Sequence, residues 1–242
     1  MQKIFLNVSE VFSDLLTLIF SSSNTNGMAR ITILLVLSFY GYSSFSQEIV
    51  VQPEVLFGNR SVMFQSQFKA QFTKSLSFNN YFLIDNQYDR EKNQIYFFRN
   101  MLSYHHSKCW QSNIAVGLKN PGLFSTVSWT YKKREGVKSL IYSIGITLQK
   151  TLSLEQSVLF KQDLIEFKNY VFRFQFLVIA SFDVEGYLRG LQQIRFGIQK
   201  GSIQTGFGIN LDQFNNATKA LYNYGAYFKF NFNKTTPYGK EK

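Results

Sequence analysis

Residues 219–234, KALYNYGAYFKFNFNK, alternate apolar and polar side chains with a period of two. Successive side chains of a β-strand point to opposite faces, so this pattern predicts a strand with one apolar and one polar face. The polar or small positions are Asn223, Gly225, Lys229, Asn231 and Asn233, and the apolar positions are Tyr222, Tyr224, Ala226, Phe228, Phe230 and Phe232, with Tyr227 as the exception. The apolar face is therefore aromatic along most of its length.

The same alternation recurs through most of the chain after residue 47. It is plain in SVMFQSQFKAQFT (61–73), YVFRFQFLVIASF (170–182) and SIQTGFGINLD (202–212). Strands of soluble β-sandwiches are usually about five or six residues long, whereas a strand that crosses a membrane needs about 9–11 residues. Only a closed barrel satisfies every backbone hydrogen bond of a sheet in hydrocarbon. We therefore predict an all-β fold, a membrane-spanning antiparallel up-and-down β-barrel, in preference to a soluble sandwich.

Turn signals between the alternating segments divide the chain into about 12 strands, with ten as the alternative. The joints include FGNR, KNPG, REG, DVEG and KGS, each with a glycine, and the polar loop NQYDREKNQ. The least regular joint is KQDLIEFKN (161–169), where the alternation slips. The predicted strands cover residues 48–58, 61–73, 75–87, 94–106, 111–119, 122–133, 137–148, 152–162, 168–182, 185–199, 202–212 and 220–232.

A second pattern, MARITILLVLSFYGYSSFSQ at residues 28–47, has the layout of a secretory signal peptide. Arg30 gives a positive start, residues 31–40 are almost entirely apolar, and Ser44 and Ser46 are the small residues of a cleavage site. The apolar run is about half as long as a membrane-spanning helix needs. We expect a non-native or extended leader at 1–27, a signal peptide at 28–46, the barrel at 47–232 and a polar tail at 233–242.

The chain is strongly basic, with a net charge of +11 at pH 7. Such an excess favours an anionic partner, and export from the cytoplasm argues against nucleic acid. Rings of basic side chains give pores that prefer anions, whereas inward arginines paired with acids would instead fill the barrel as a polar core. Both interpretations stay open. The clearest inward acids are Asp85, Glu155 and Asp212, and the predicted lumen-lining basic residues are Lys69, Arg99, Arg173, Arg189, Arg195 and Lys229.

With the alternating aromatics of its last strand, YNYGAYFKFNF (222–232), the chain resembles the small outer-membrane β-barrels of Gram-negative bacteria. The resemblance covers residues 47–232 as a pattern. It implies a location in the cell outer membrane and contact with its lipid and lipopolysaccharide. It also implies that the barrel assembly machinery reads a signal formed by Tyr222, Tyr224, Phe228, Phe230 and Phe232. In the family this signal usually ends the chain, whereas here NKTTPYGKEK follows Phe232.

One short segment, SYHHSKCW (103–110), carries residue types found in hydrolases. His105 and Ser107 are predicted to share the inward face, and a histidine near a serine is the minimum for a nucleophile and its base. Their spacing resembles that of outer-membrane lipid A deacylases, which usually have an Asn where Lys108 stands. No carboxylate is found to orient the imidazole, so we expect strand-end residues and no enzyme. His106 is expected in an outward aromatic belt.

Three functional interpretations follow from this pattern. The first is a passive barrel, either a channel for small anionic solutes or a structural barrel without a pore. The second is a subunit of a larger outer-membrane assembly, and the third, least favoured, is a lipid A-modifying hydrolase. We expect no cofactor and no metal, because Cys and His do not occur at metal-ligand spacing. The single cysteine, Cys109, cannot form an internal disulfide.

Overall fold

The structure, a computed structural model, describes residues 48–88, 95–120, 122–214 and 218–235. The predicted leader and signal peptide, and the tail from residue 236, lie outside the described residues. The described residues form β1 (Glu48–Gly58), β2 (Ser61–Gln71), β3 (Leu76–Gln87), β4 (Ile95–His105), β5 (Trp110–Lys119), β6 (Gly122–Glu135), β7 (Lys138–Leu148), β8 (Leu152–Phe167), β9 (Tyr170–Asp183), β10 (Gly186–Lys200), β11 (Ile203–Phe214), β12 (Lys219–Phe230) and β13 (Phe232–Thr235).

These strands form one closed antiparallel barrel. Each strand pairs with its neighbours in chain order, and β12 pairs with β1 to close the sheet. The short β13 continues the same ladder, because Phe232 pairs with Val51 in the register in which Lys229 pairs with Glu54. The barrel therefore has 12 strands, with β13 as the end of the last one, and the prediction of 12 strands rather than ten is confirmed.

Most strand boundaries lie within two residues of the predicted ones, and the largest difference is at the end of β8. This strand continues to Phe167, five residues past the predicted end. The ladder between β8 and β9 shifts register between Asp163 and Ile165, so Leu164 is an extra, bulged residue. A bulge inserts one residue and inverts the inward and outward positions after it, which explains why the alternation slips there.

Short turns join the strands at both ends of the barrel wherever the structure describes the whole connection. We call the end where β1 begins and β13 finishes the terminal rim, and the opposite end the distal rim. Two-residue turns at 136–137, 168–169 and 201–202 lie at the terminal rim. Gly136 and Gly201 have φ values of 54° and 57°, the left-handed conformation that glycine adopts without a steric penalty. The turns are therefore tight, as hairpins of this length require.

The outer surface of the barrel is apolar. Ile114, Val127 and Trp129 are 64%, 54% and 56% exposed, and exposed apolar side chains occupy many of the other outward positions. Edge-to-face aromatic pairs, such as Phe64 with Phe82 and Phe82 with Phe98, link neighbouring strands on this surface. The described part of the chain holds no helix with the length and hydropathy of a transmembrane span.

Part of the barrel interior is filled by side chains. Leu56, Met63, Leu83, Ile95 and Tyr227 form a buried apolar cluster inside the distal half of the barrel. These residues occupy positions on the otherwise polar inward face, so they break the simple alternation of apolar outside and polar inside. They narrow the distal half of the lumen and leave its free space closer to the terminal rim.

Candidate functional site

The five described arginines that face the lumen or its distal rim are all neutralised by acidic side chains. Four of them belong to the predicted basic lining, and the fifth is Arg60. The acids include Glu54 and Asp163, which the sequence analysis did not single out. The pairs are Arg60 with Asp85, Arg99 with Glu155 at 2.7 Å, Arg173 with Asp163 at 2.5 Å, Arg189 with Asp212 at 2.6 Å, and Arg195 with Glu54 at 2.7 Å.

Arg195 and Glu54 form the most deeply buried of these pairs, with side chains only 1% and 2% exposed. The Glu54 carboxylate also accepts a hydrogen bond of 2.7 Å from Gln65 Nε2, whose amide oxygen accepts one from the Tyr81 hydroxyl. The Arg195 guanidinium donates further to Asn210 Oδ1 at 2.8 Å. This network joins β1, β2, β3, β10 and β11 and fills one side of the lumen with polar side chains.

The positive charge that remains in the lumen belongs to lysines. None of the five inward lysines forms an ion pair within the described residues, although Lys229 lies directly opposite Glu54 in the ladder. The Glu54 carboxylate instead accepts hydrogen bonds from Arg195 and Gln65. Two of these lysines were predicted and three were not; the full set is Lys69, Lys119, Lys132, Lys161 and Lys229.

The signals for the missed lysines were present in the sequence. Lys132 lies near the end of β6, which continues to Glu135. Lys161 lies three residues before Leu164, the bulged residue of β8, at the start of the segment in which the alternation slips. Both lysines fall within predicted strands, 122–133 and 152–162, so following the inward parity to the end of each strand would have identified them.

Two cavities of about 210 and 200 Å³ occupy the lumen. They share Arg99, Met101, Leu159 and Leu177 in their walls, so they adjoin across the middle of the barrel. Gln67, an inward residue that lines both, is exposed, so solvent reaches this space. A third cavity near the distal rim is only about 70 Å³. The lumen is thus wider on the terminal side of the apolar cluster.

The structure does not bring His105 and Ser107 together. The His105 Nε2 atom lies 2.9 Å from the Ser77 hydroxyl, on the neighbouring strand β3. The Ser107 hydroxyl instead accepts hydrogen bonds from the backbone amides of Cys109 and Trp110, which close the turn between β4 and β5. The two serines therefore have different surroundings, and only Ser77 contacts the imidazole.

His106 lies on the outward face, next to the aromatic side chains of the terminal rim. Its ring packs edge to face against Tyr104, at 5.1 Å between centroids, and its Nε2 atom lies 2.6 Å from the Ser112 hydroxyl. Trp110 packs against Tyr131 beside it, at 5.0 Å. This group has the composition of an aromatic belt at a membrane interface. Within the described residues no cluster of three or more His, Cys, Asp or Glu side chains could hold a metal ion.

The aromatic side chains of the last strand lie on the outer surface. All are between 40% and 60% exposed, and the stacked rings of Phe230 and Phe232 lie 6.1 Å apart. The inward side chains of the same strand include Asn223, Tyr227 and Lys229, which are buried in the lumen. The outward set consists of Tyr222, Tyr224, Phe228, Phe230 and Phe232.

Apolar side chains on the outside, polar ones inside and a sheet without a free edge are the properties that allow strands to cross a lipid bilayer. In this barrel all three occur together, in 12 antiparallel strands. The fold and its surface therefore define an outer-membrane β-barrel protein.

Solved structures of other outer-membrane proteins are similar to this chain in fold. An outer-membrane channel from Pseudomonas putida F1 is 10% identical, with a TM-score of 0.43, and the match covers 77% of this chain and 96% of that one. LpxR from Salmonella typhimurium is 8% identical, with a TM-score of 0.41, covering 76% and 99%. OmpT of Vibrio cholerae, in a form lacking loop L8, is 7% identical, with a TM-score of 0.37, covering 76% and 98%. No protein-family model and no curated protein matches the chain.

Proposed function

We propose that the protein is a passive barrel of the Gram-negative outer membrane that admits small anionic solutes to its lumen. The observation that carries this proposal is a difference in ion pairing between the inward arginines and the inward lysines. The lumen arginines are neutralised by acids, whereas the inward lysines have no ion-pair partner among the described residues. A lumen with unpaired cations inside low-dielectric walls attracts anions and raises their local concentration.

The size of the lumen limits the solutes to small ones. The two larger cavities have room for several water molecules or one small organic ion, and the distal cavity of about 70 Å³ is narrower. Passage through the distal half would require the apolar cluster around Leu56, Met63 and Tyr227 to leave a narrow path. A low conductance is therefore expected, well below that of wide porins.

We further propose that the protein is not an enzyme. Ser77, the hydroxyl in contact with His105, is 1% exposed, which leaves little room for a substrate carbonyl. The side chains whose charges act on the imidazole are Lys132 and Lys69, both cations, so no carboxylate of the described strands and turns is placed to orient it as a base. These features favour a structural role for the pair.

The proposed partners outside the lumen are lipid, lipopolysaccharide and the barrel assembly machinery. The exposed aromatic side chains of the outer surface suit acyl chains and interfacial headgroups. The outward aromatics of the last strand, Tyr222 to Phe232, would be read by the assembly machinery before the barrel closes. No nucleic acid is proposed as a partner.

Electrical recording tests the channel proposal. Purified protein is inserted into a planar bilayer under a potassium chloride gradient, and the reversal potential is measured; we expect a preference for chloride. Replacing Lys161 and Lys229 by Gln should shift the reversal potential towards cations. Lys133→Gln, a change of an exposed outward lysine, is the matched control and should leave the potential unchanged. Silence at every salt concentration would exclude a channel and leave a structural barrel, and cation preference would refute the charge argument.

A second candidate function is a subunit of a larger outer-membrane assembly. Asn80 and Asn100 lie opposite each other on the outward face of β3 and β4, with Asn80 Nδ2 donating to Asn100 Oδ1 at 2.9 Å. Asn80 is only 6% exposed, whereas Asn100 is half-buried, and a polar side chain at a lipid-facing position is costly and favours contact with another protein. Co-purification after extraction in mild detergent tests this candidate, and loss of a co-purified protein in an Asn80→Leu, Asn100→Leu variant would support it.

A further inference from the structure

An apolar slot runs through the larger lumen cavity. Phe97 and Met101 of β4, on either side of the ion-paired Arg99, form one side of it, and Leu159, Leu177 and Ile179 of β8 and β9 form the other. Three strands separate β4 from β8, so these groups face each other across the lumen rather than along one wall. Leu159 and Leu177 are paired directly in the ladder, which fixes their side chains at the same height.

Two ammonium groups border this slot. Lys161 and Lys229 line the same cavity, and Lys161 follows Leu159 by two residues on the inward face. The charges of the two lysines act on each other. Glu54, the ladder partner of Lys229, and Asp163, two residues after Lys161, are engaged by arginines, so neither ammonium has an ion-pair partner among the described residues. An anion placed between them would relieve their repulsion.

The size of the cavity matches an organic anion better than a bare inorganic one. A volume of about 210 Å³ exceeds the roughly 150 Å³ of an engineered apolar cavity that binds benzene. An inorganic anion would use the ammonium groups but leave the apolar walls in contact with water. An aromatic or branched aliphatic molecule with one carboxylate contacts both the ammonium groups and the apolar walls, because Leu159 and Lys161 are successive inward residues of β8.

We propose that the lumen binds small amphiphilic monocarboxylates, with the carboxylate on Lys161 and Lys229 and the apolar body between Met101, Leu159 and Leu177. The inference rests on the proposed function, because it names the class of anionic solute that the cationic lumen admits. The exposed Gln67 side chain, which lines the same cavity, marks the route by which such a solute reaches the slot.

Fluorine NMR with 4-fluorobenzoate tests the inference directly. The full-length protein is placed in lipid nanodiscs, with empty nanodiscs as the blank, and the probe signal is followed during titration. We expect saturable binding that weakens about tenfold or more when both Lys161 and Lys229 are changed to Gln, since charge-assisted hydrogen bonds are lost. Leu177→Asn should weaken binding as well. Lys133→Gln, a change of an exposed outward lysine, is the matched control and should keep wild-type affinity.

The outcomes separate the inference from the proposed function. Equal affinity for the neutral analogue 4-fluorobenzyl alcohol, or unchanged affinity in the double lysine variant, overturns the inference. No binding of 4-fluorobenzoate combined with a chloride-selective current also overturns it but leaves the anion channel standing. No binding and no current overturns both. Heat-modifiable gel mobility checks that each variant folds, and Leu159→Ser replaces Leu177→Asn should that variant fail the check.

Discussion

Removing the carboxylate of Glu54 should destabilise the barrel more than removing any exposed acid. The Glu54 carboxylate accepts hydrogen bonds of 2.7 Å from both Arg195 Nε and Gln65 Nε2. In Glu54→Ala the Arg195 guanidinium, with a side chain only 1% exposed, keeps its charge and loses its counter-ion. A buried charge without compensation is strongly unfavourable, because the buried Arg195 guanidinium has almost no contact with water.

The size of the loss in unfolding free energy depends on the contacts that Arg195 keeps in the variant. Breaking a buried ion pair by removing one partner costs roughly 3–5 kcal/mol. Arg195 would keep three acceptors, namely Asn210 Oδ1 and the carbonyl oxygens of Ile194 and Ile209. We therefore expect a loss at the lower end, about 3 kcal/mol. Replacing both partners together, Glu54→Leu with Arg195→Met, should restore most of this loss, since an apolar pair of similar size needs no counter-charge.

Urea unfolding of the barrel in lipid vesicles, followed by tryptophan fluorescence, measures these free energies. Glu135→Ala is the control, because Glu135 pairs with Lys133 at the exposed end of β6 and should not change the unfolding free energy. Two results would refute the description of this pair as buried and coupled. One is a loss of unfolding free energy below about 1 kcal/mol for Glu54→Ala, and the other is a double variant less stable than each of its two single variants.

Three further changes test other parts of the structure. Gly206→Ala would place a methyl group 2.2 Å from the carbonyl oxygen of Phe196. We expect this variant to lose the difference in gel mobility between unboiled and boiled protein. A wild-type difference in mobility would contradict so close an approach of the strands. Phe232→Ala should slow insertion by the assembly machinery more than spontaneous insertion into vesicles, and equal slowing would contradict recognition of this strand. His105→Ala should leave the lipid A mass spectrum of the expressing strain identical to wild type, and a difference would point to an enzyme.

The barrel architecture could be predicted from the sequence because strand periodicity is a local property. The alternation in each segment fixes which residues face outward, and the aromatic content of the outward face distinguishes lipid from water as its surroundings. The exception at residues 161–169 has a local cause, because the bulge at Leu164 inserts one residue into the ladder. Where the period is regular, as in residues 203–212, the predicted and observed faces agree.

The contents of the lumen could not be predicted in the same way. Which inward charges meet depends on strand tilt and stagger around the whole barrel, and these are not encoded in any single segment. Arg99 and Glu155 are 56 residues apart, and Arg195 and Glu54 are 141 residues apart, yet both pairs form ion contacts. The inward apolar side chains Leu56 and Met63 were also missed, because a pattern read strand by strand does not show that the lumen is narrow enough for them to pack together.

The seam between the first and last strands has a consequence for folding kinetics. The hydrogen bond from Gln52 to Asn231 joins residues 179 positions apart, and the whole β1–β12 ladder has similar separation. Contacts of such high order form late, since the loop-closure entropy must be met before they stabilise anything. We therefore expect the charges of Glu54 and Arg195 to stay hydrated until the strands close into a ring, so that closure of the ring and dehydration of the interior coincide.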